Sequence, residues 1–361
     1  VGGGHAQLSV LEALARARPT NVEIVLVTQS RYQIYSGMLP GWVAGHYDQA
    51  QCRIDLEPLA RSARVRLLTD RVVGLVADQR RVTLRGGPPL EYDLLSLDVG
   101  SETDLSSLHA AHDKVLPVKP LDGFFEVWPA VMSAAHGKPG YRLVVIGGGA
   151  AGVELALAAS YAFGQAETDA CVDLVACELL PGYAPGVRSR VEHALARAHV
   201  QVHGVGATGT QEGVLLADGT ALPADLVLAA TGARASQWLE PSGLMLDAHN
   251  YVAVDEFHRS RSHPDVFAAG DVSARTDVVM ARSGVHAVHA GPVLGANLLA
   301  TLQGGPLRTY SPRRRSLYLL ACGPRYAIAS WGRLSAEGRW VWRWKDRIDR
   351  GFVARFANPD R

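Results

Sequence analysis

Residues 143–154 read Leu143-Val144-Val145-Ile146-Gly147-Gly148-Gly149-Ala150-Ala151-Gly152-Val153-Glu154. Four apolar residues, three of them β-branched, run into a glycine cluster, and an alanine- and leucine-rich stretch follows. The pattern predicts a strand, a tight turn and a helix. Gly147, Gly149 and Gly152 complete a GxGxxG. The first glycine permits the turn, the second lets a diphosphate approach the backbone, and the third lets helix and strand pack closely. The helix then offers its first N–H groups to the anion. Glu178 closes the next predicted strand, 26 residues beyond Gly152. An acid there accepts ribose hydroxyls and repels a 2′-phosphate, so NADH is expected in preference to NADPH.

A shorter version of the pattern stands 145 residues earlier, Val1-Gly2-Gly3-Gly4-His5-Ala6, leading into Leu8-Ser9-Val10-Leu11-Glu12-Ala13-Leu14. Gly2 and Gly4 fit, but Gln7 holds the third position, and the next strand, read at residues 23–27, ends in Thr28-Gln29 without an acid. With one residue ahead of the turn, the first strand is expected to begin before Val1. Other strands are read at residues 65–68, 72–77 and 93–97, the last closing on Gly100-Ser101, and at 226–229, closing on Thr231-Gly232. Val266-Phe267-Ala268-Ala269-Gly270-Asp271 precedes a helix read at about 283–302. This alternation predicts an α/β fold of two Rossmann-like dinucleotide-binding domains, the second inserted in the first, plus a C-terminal hairpin–helix tail. The first domain takes residues 1–116 and 241–300, the second 117–240, and the tail 301–361.

Together these motifs resemble the two-dinucleotide-binding flavoproteins, the pyridine nucleotide–disulfide oxidoreductase superfamily, over about residues 1–300. The resemblance implies that the first domain binds FAD and the inserted one NAD(P)H. It assigns Gly2 and Gly4 to the FAD diphosphate, the Val73 backbone to the adenine, and Gly100 and Ser101 to the closure of the domain. It assigns Gly270 and Asp271 to the ribityl chain, and the helix opening at Ser283 and Gly284 to the flavin N1/O2 edge. On the nicotinamide side stand Gly147, Gly149, Gly152, Glu178 and Gly232. Glu154 matches an acid that lies near the nicotinamide in type II NADH dehydrogenases, and it equally suits a helix-dipole role.

Three segments, residues 31–41, 285–298 and 344–356, are similar to an NADH dehydrogenase-like branch that occurs alone or fused in front of selenide, water dikinase. The implied activity is an FAD-dependent NADH dehydrogenase that passes hydride from NADH to flavin and then to an unidentified acceptor, a quinone or another small molecule. A selenide, water dikinase is a candidate partner. Where type II NADH dehydrogenases carry two glutamines at the quinone site, this chain has Val285 and His289, which counts against a quinone. Two rivals stay open: a sulfide- or thiol-oxidising flavoprotein using Cys322, and a non-catalytic FAD/NADH redox-sensing module.

Composition narrows the remaining classes. The 361 residues are 48% hydrophobic and 20% charged, as in a globular protein of two or three domains, and no run approaches about 18 uninterrupted apolar residues. Four cysteines, with no CxxC or CxxxxC pair, exclude a disulfide scaffold and make a zinc site or local redox disulfide unexpected. The cytoplasm is the expected compartment. Residues 301–361 carry a net charge of +9 and four of the seven tryptophans, against −8 for residues 1–300. The tail is read as a hairpin, residues 326–331 with 339–344, and then a helix. On that helix Trp344, Ile348, Phe352 and Phe356 form an apolar stripe among Lys345, Arg347, Arg350 and Arg355. The stripe is expected to pack on the FAD domain, with peripheral contact at the inner face of the plasma membrane as the alternative. Nucleic-acid binding and a metal site are not expected.

Overall fold

The decisive stretch forms the strand Tyr141–Ile146, third in a five-stranded parallel sheet ordered Val115–Pro117, Leu226–Ala229, Tyr141–Ile146, Ala170–Val175, Gln201–His203. Leu143, Val144 and Val145 are fully buried. A parallel strand covered on both faces needs apolar residues at every position, hence the unbroken run. The computed structural model describes residues 1–280, 282, 284–313 and 315–357; Ser283 lies outside the described residues.

The first domain repeats this plan. Val1-Gly2 runs between the strands Val25–Thr28 and Leu95–Leu97: the Gly2 N–H donates to Val27 O at 2.7 Å, and the Asp98 N–H donates to Val1 O at 2.9 Å. Arg66–Thr69 extends the sheet beyond Val25–Thr28, and Val266–Ala268 extends it beyond Leu95–Leu97, both in parallel. The chain thus leaves for the inserted domain and returns to complete the first sheet.

The return segment ends in the helix Gly284–Gln303, which lies along the helix His5–Ala17. Gly291 and Gly295 face that helix: a Cβ on Gly291 would stand 2.7 Å from Ala6 O, and one on Gly295 3.0 Å from the Ala13 Cβ. By length and composition Gly284–Gln303 would suit a membrane span, but here its apolar character answers to this packing.

The tail differs from its expected form. It is a three-stranded antiparallel sheet, Leu317–Ala321, Ala327–Trp331 and Leu334–Gly338, followed by the helix Arg339–Ala357. Residues 339–344, expected as the second strand of the hairpin, are helical. Gly338, at φ +143°, ends the strand, and Trp340 and Trp344 then stack one helical turn apart at 6.5 Å. The expected stripe is also divided. Phe356 is fully buried and Phe352 packs on the His5–Ala17 core, whereas Trp344 and Ile348 are exposed. Facing inward in place of the upper stripe are Lys345 and Asp349, 7% and 4% exposed. Arg355 anchors the helix on Glu12 of the first domain through a two-nitrogen ion pair. The apolar spacing had marked a face about one residue away from the buried one, because a buried ion pair looks like a solvated face in sequence.

The helix–helix contact generates a test. Gly291→Val places branched carbon against the Ala6 carbonyl and is expected to destabilise the protein by about 1–3 kcal/mol. A lowered urea midpoint would register this, and an unchanged midpoint would contradict the close packing.

Candidate active site

Both glycine turns are forced by lack of room. A Cβ on Gly2, at φ +88°, would stand 2.3 Å from Asp98 O, and one on Gly147, at φ +131°, 2.1 Å from Ala230 O. Each turn therefore aims a helix N-terminus outward, from Gly4 for His5–Ala17 and from Gly149 for Ala150–Gln165. One cavity of about 2160 Å³ joins the two ends. Gly2 and Gly4 line one side, and Ala150, Ala151 and Glu154 line the other. Gln7 explains how the first turn manages without its third glycine. In the second copy a Cβ on Gly152 would meet Gly147 O at 1.9 Å, whereas Gln7 is buried and accepts a hydrogen bond from the Ser96 hydroxyl at 3.1 Å.

Gly100, Ser101, Gly270, Asp271 and Gly284 all line this cavity. The Asp271 carboxylate accepts from Lys119 Nζ at 2.5 Å and from the Ser101 hydroxyl at 3.3 Å. Val73, expected to act through its backbone, is 40% exposed, and its neighbours Arg71 and Val72 line the cavity. Gly147, Gly149, Gly152, Glu178 and Gly232 do not line this cavity, which meets the second domain at Ala150, Ala151, Glu154, Leu155, Pro181–Tyr183 and Arg234. Glu178 is not a free acid, since Arg188 Nη1 lies 2.7 Å from its carboxylate.

Glu154 lies on the wall and accepts a hydrogen bond from the Ala321 N–H of the tail at 2.7 Å. Burial pushes its carboxyl up to about 7, opposed by the positive charge of Lys345. Lys345 Nζ donates to the Asp349 carboxylate at 2.6 Å and to Gly37 O at 2.5 Å. Burial raises Asp349, while Lys345 and a hydrogen bond with Tyr35 hold it down. The Tyr35 ring stacks on Phe352 at 4.5 Å, and His5 lies 5.5 Å from Tyr35 and 5.9 Å from Phe352. Burial pushes His5 down to about 4, leaving it neutral at pH 7. The tail thus roofs the cavity with a lysine, an aspartate and a phenylalanine that no local pattern tied to the glycine turns.

Two further candidates resolve differently. His286 and His289 line the cavity, His289 Nδ1 bonding to Val285 O at 2.8 Å, so the α-helix presents imidazoles at this wall. Cys322 is 4% exposed and burial pushes its thiol up to about 12. A buried thiol held protonated is a poor nucleophile, and all four cysteines are free. This counts against Cys322 as a redox centre.

Residues 1–291 match the family described as pyridine nucleotide-disulphide oxidoreductase. The chain belongs to this family. Its members are FAD-dependent NAD(P)H oxidoreductases, and FAD and NAD(P)H are its cofactors. An NADH dehydrogenase-like protein of Mycobacterium tuberculosis is 30% identical over 276 residues, covering 72% of this chain and 69% of that one. An alternative NAD(P)H-ubiquinone oxidoreductase of Arabidopsis thaliana is 26% identical over 351 residues, covering 85% and 67%. Among solved structures, the sulfide:quinone oxidoreductase of Aquifex aeolicus shares the fold with a TM-score of 0.82 at 16% identity, covering 99% of this chain and 90% of that one. The family's FAD fits the first cradle: a turn that admits no Cβ, a helix N-terminus and a carboxylate at Asp271 all face one cavity.

Two measurements test this geometry. The native state keeps a proton on Glu154 between its unfolded value of 4.5 and about 7, so stability falls as pH rises through that window and levels off above it. Glu154→Gln is expected to flatten that fall and to exceed wild type at pH 8 by about 1–3 kcal/mol in urea denaturation. Lys345→Met strands Asp349 and is expected to cost about 3–5 kcal/mol, most of it recovered by adding Asp349→Leu. A single variant as stable as the wild type would show that the pair is not buried.

Proposed function

We propose that the protein is an FAD-dependent NADH dehydrogenase that hands its electrons to a second, small-molecule acceptor. The observation that carries this reading is one cavity that runs from the first glycine turn to the first turns of the helix Ala150–Gln165, with Glu154 and the Lys345–Asp349 pair on its wall. When bound, the nicotinamide supplies a hydride and the flavin accepts it and passes electrons onward. The chain's own residues bind, orient and exclude water. The backbone at Gly2 and Gly4 holds one diphosphate and that at Gly147 and Gly149 the other. Asp271 and Ser101 hold the polyol, and the helix opening at Gly284 turns its positive end to the flavin. Gly152 and Gly232 keep the second cradle closed, and Glu178 takes the ribose hydroxyls. Glu154, raised by burial to about 7, can hold a proton beside the Lys345–Asp349 ion pair, with Tyr35 and Phe352 stacked against each other at the same wall.

The acceptor wall presents His286 and His289 from one helix and Tyr318 from the tail, which supports a polar or aromatic small molecule, quinones included. The reading places the chain in the cytoplasm. The exposed Trp340, Trp344 and Ile348 support peripheral contact with a membrane surface. Likeness of three sequence segments alone supports association with a selenide, water dikinase.

Purified protein supplied with FAD should be yellow, release non-covalent FAD on heating, and reduce ferricyanide with NADH. Flavin that NADH does not bleach under anaerobic conditions would defeat the dehydrogenase reading in favour of a sensor. Cys322→Ser should retain full ferricyanide turnover; its loss would restore the thiol mechanism.

A further inference from the structure

A lysine of the inserted domain reaches the carboxylate that the first domain sets toward the polyol. Val115–Pro117 is the edge strand of the inserted domain's sheet, paired in parallel with Leu226–Ala229. Beyond that strand the chain stays tied to the sheet, since the Val118 N–H donates to Ala229 O at 3.1 Å. Lys119 comes next, its own N–H fixed on Thr103 Oγ1 at 2.9 Å. From there its side chain crosses to the first domain. Nζ donates to Asp271 Oδ2 at 2.5 Å and to Ser101 Oγ at 3.0 Å.

Counting donors and acceptors shows what is left over. An ammonium has three N–H donors, and these two contacts use two of them. Lys119 lines the cavity with its side chain 35% exposed, so the third donor is open to a ligand. Lys119 and Ser101 both approach Oδ2 of Asp271, and Oδ1 has no hydrogen-bond partner among the described residues. His5, the first residue of the helix that follows the first glycine turn, feels the charges of both Asp271 and Lys119. The pair therefore stands beside the diphosphate cradle. A lone carboxylate there would accept polyol hydroxyls but repel the diphosphate. Paired with a lysine it still offers Oδ1 to a hydroxyl, its charge is cancelled, and the ammonium adds a charged donor for an anionic oxygen.

We infer that Lys119 is an FAD-binding residue, offering its third N–H to an oxygen between the polyol and the diphosphate, so that both domains hold the cofactor at once. This rests on the reading of Gly2, Gly4 and Asp271 as the FAD cradle. FAD then ties the connector, and with it the sheet of the inserted domain, to the first domain.

The experiment titrates FAD into the flavin-depleted full chain and follows flavin fluorescence. Lys119→Met should weaken FAD by about tenfold, the size of one charge-assisted contact, and Lys119→Arg should recover part of the loss. Without flavin, the urea midpoint of both variants should stay near that of wild type, because the ion pair is part-exposed. Amide hydrogen exchange supplies a readout that a plain counter-ion would not move. Saturating FAD should slow exchange at Val118 and Lys119 by about tenfold in wild type, and the Lys119→Met connector by less than about threefold. Lys119→Met protein that binds FAD as tightly as wild type, or more tightly, would leave the lysine a mere counter-ion of Asp271 and overturn the inference. So would FAD that leaves exchange in the wild-type connector unchanged. Wild-type protein that takes up no FAD, or Asp271→Asn that holds it undiminished, would overturn the cradle reading itself and this inference with it.

Discussion

The buried carboxyl of Asp98 joins the two halves of the first domain. It accepts from the Gln7 N–H at 2.9 Å at the start of the helix His5–Ala17, and it lies against both Gly4 and Gly270, where any Cβ would come within 2.5 Å of it. Those glycines come from opposite ends of the chain, and the inserted domain lies between them. Burial pushes Asp98 up to about 7, with backbone bonds from Gln7 and Ala6 opposing the shift. One carboxyl seated on a helix N-terminus thus sets the spacing between the turn that cradles a diphosphate and the turn that presents Asp271.

From that spacing the rest of the site follows. The returning helix Gly284–Gln303 lies close on His5–Ala17 because Gly291 and Gly295 leave room, and its N-terminus thereby opens on the same cavity. The inserted domain contributes Glu154 from across the cavity, and the tail helix closes the gap with Lys345 and Asp349. Removing two charges from water is costly unless they meet in good geometry. Here the lysine has both a carboxylate and the Gly37 carbonyl oxygen as acceptors, and the carboxylate also bonds Tyr35. Such a pair adds little net stability, but it fixes a lysine and its carboxylate at the cavity wall.

The tail joins two environments on one helix. Its C-terminal half is core, with Phe356 buried and Arg355 clamped on Glu12; its N-terminal half presents Trp340 and Trp344 to solvent. Arg339, Arg343 and Arg347 belong to this N-terminal half, while the single tail lysine, Lys345, is buried in the site.

The sequence by itself determined the two cradles and their order. A glycine turn after an apolar run is a local signal, although the steric reason for glycine at Gly2 and Gly147 lies in the distant carbonyls of Asp98 and Ala230. It also marked Asp271, a carboxylate after an apolar run and just ahead of a helix, while Ser101 and Glu154 were marked by what the family resemblance implies. Only the tertiary structure decided the rest. Lys119, Tyr35, Lys345 and Asp349 reach the cavity from segments with no shared motif, and their charges read as ordinary surface until the fold pairs them. Val72 is buried and Val73 exposed at an irregularity of the strand, where Val72 pairs with Leu84 and Gly74 with Thr83, leaving Val73 without a cross-strand partner. Glu178 was legible as an acid at a strand end, but its partner Arg188 was not. The ion pair forms across a loop whose path is set by the packing of helix on sheet, and no spacing along the chain encodes it.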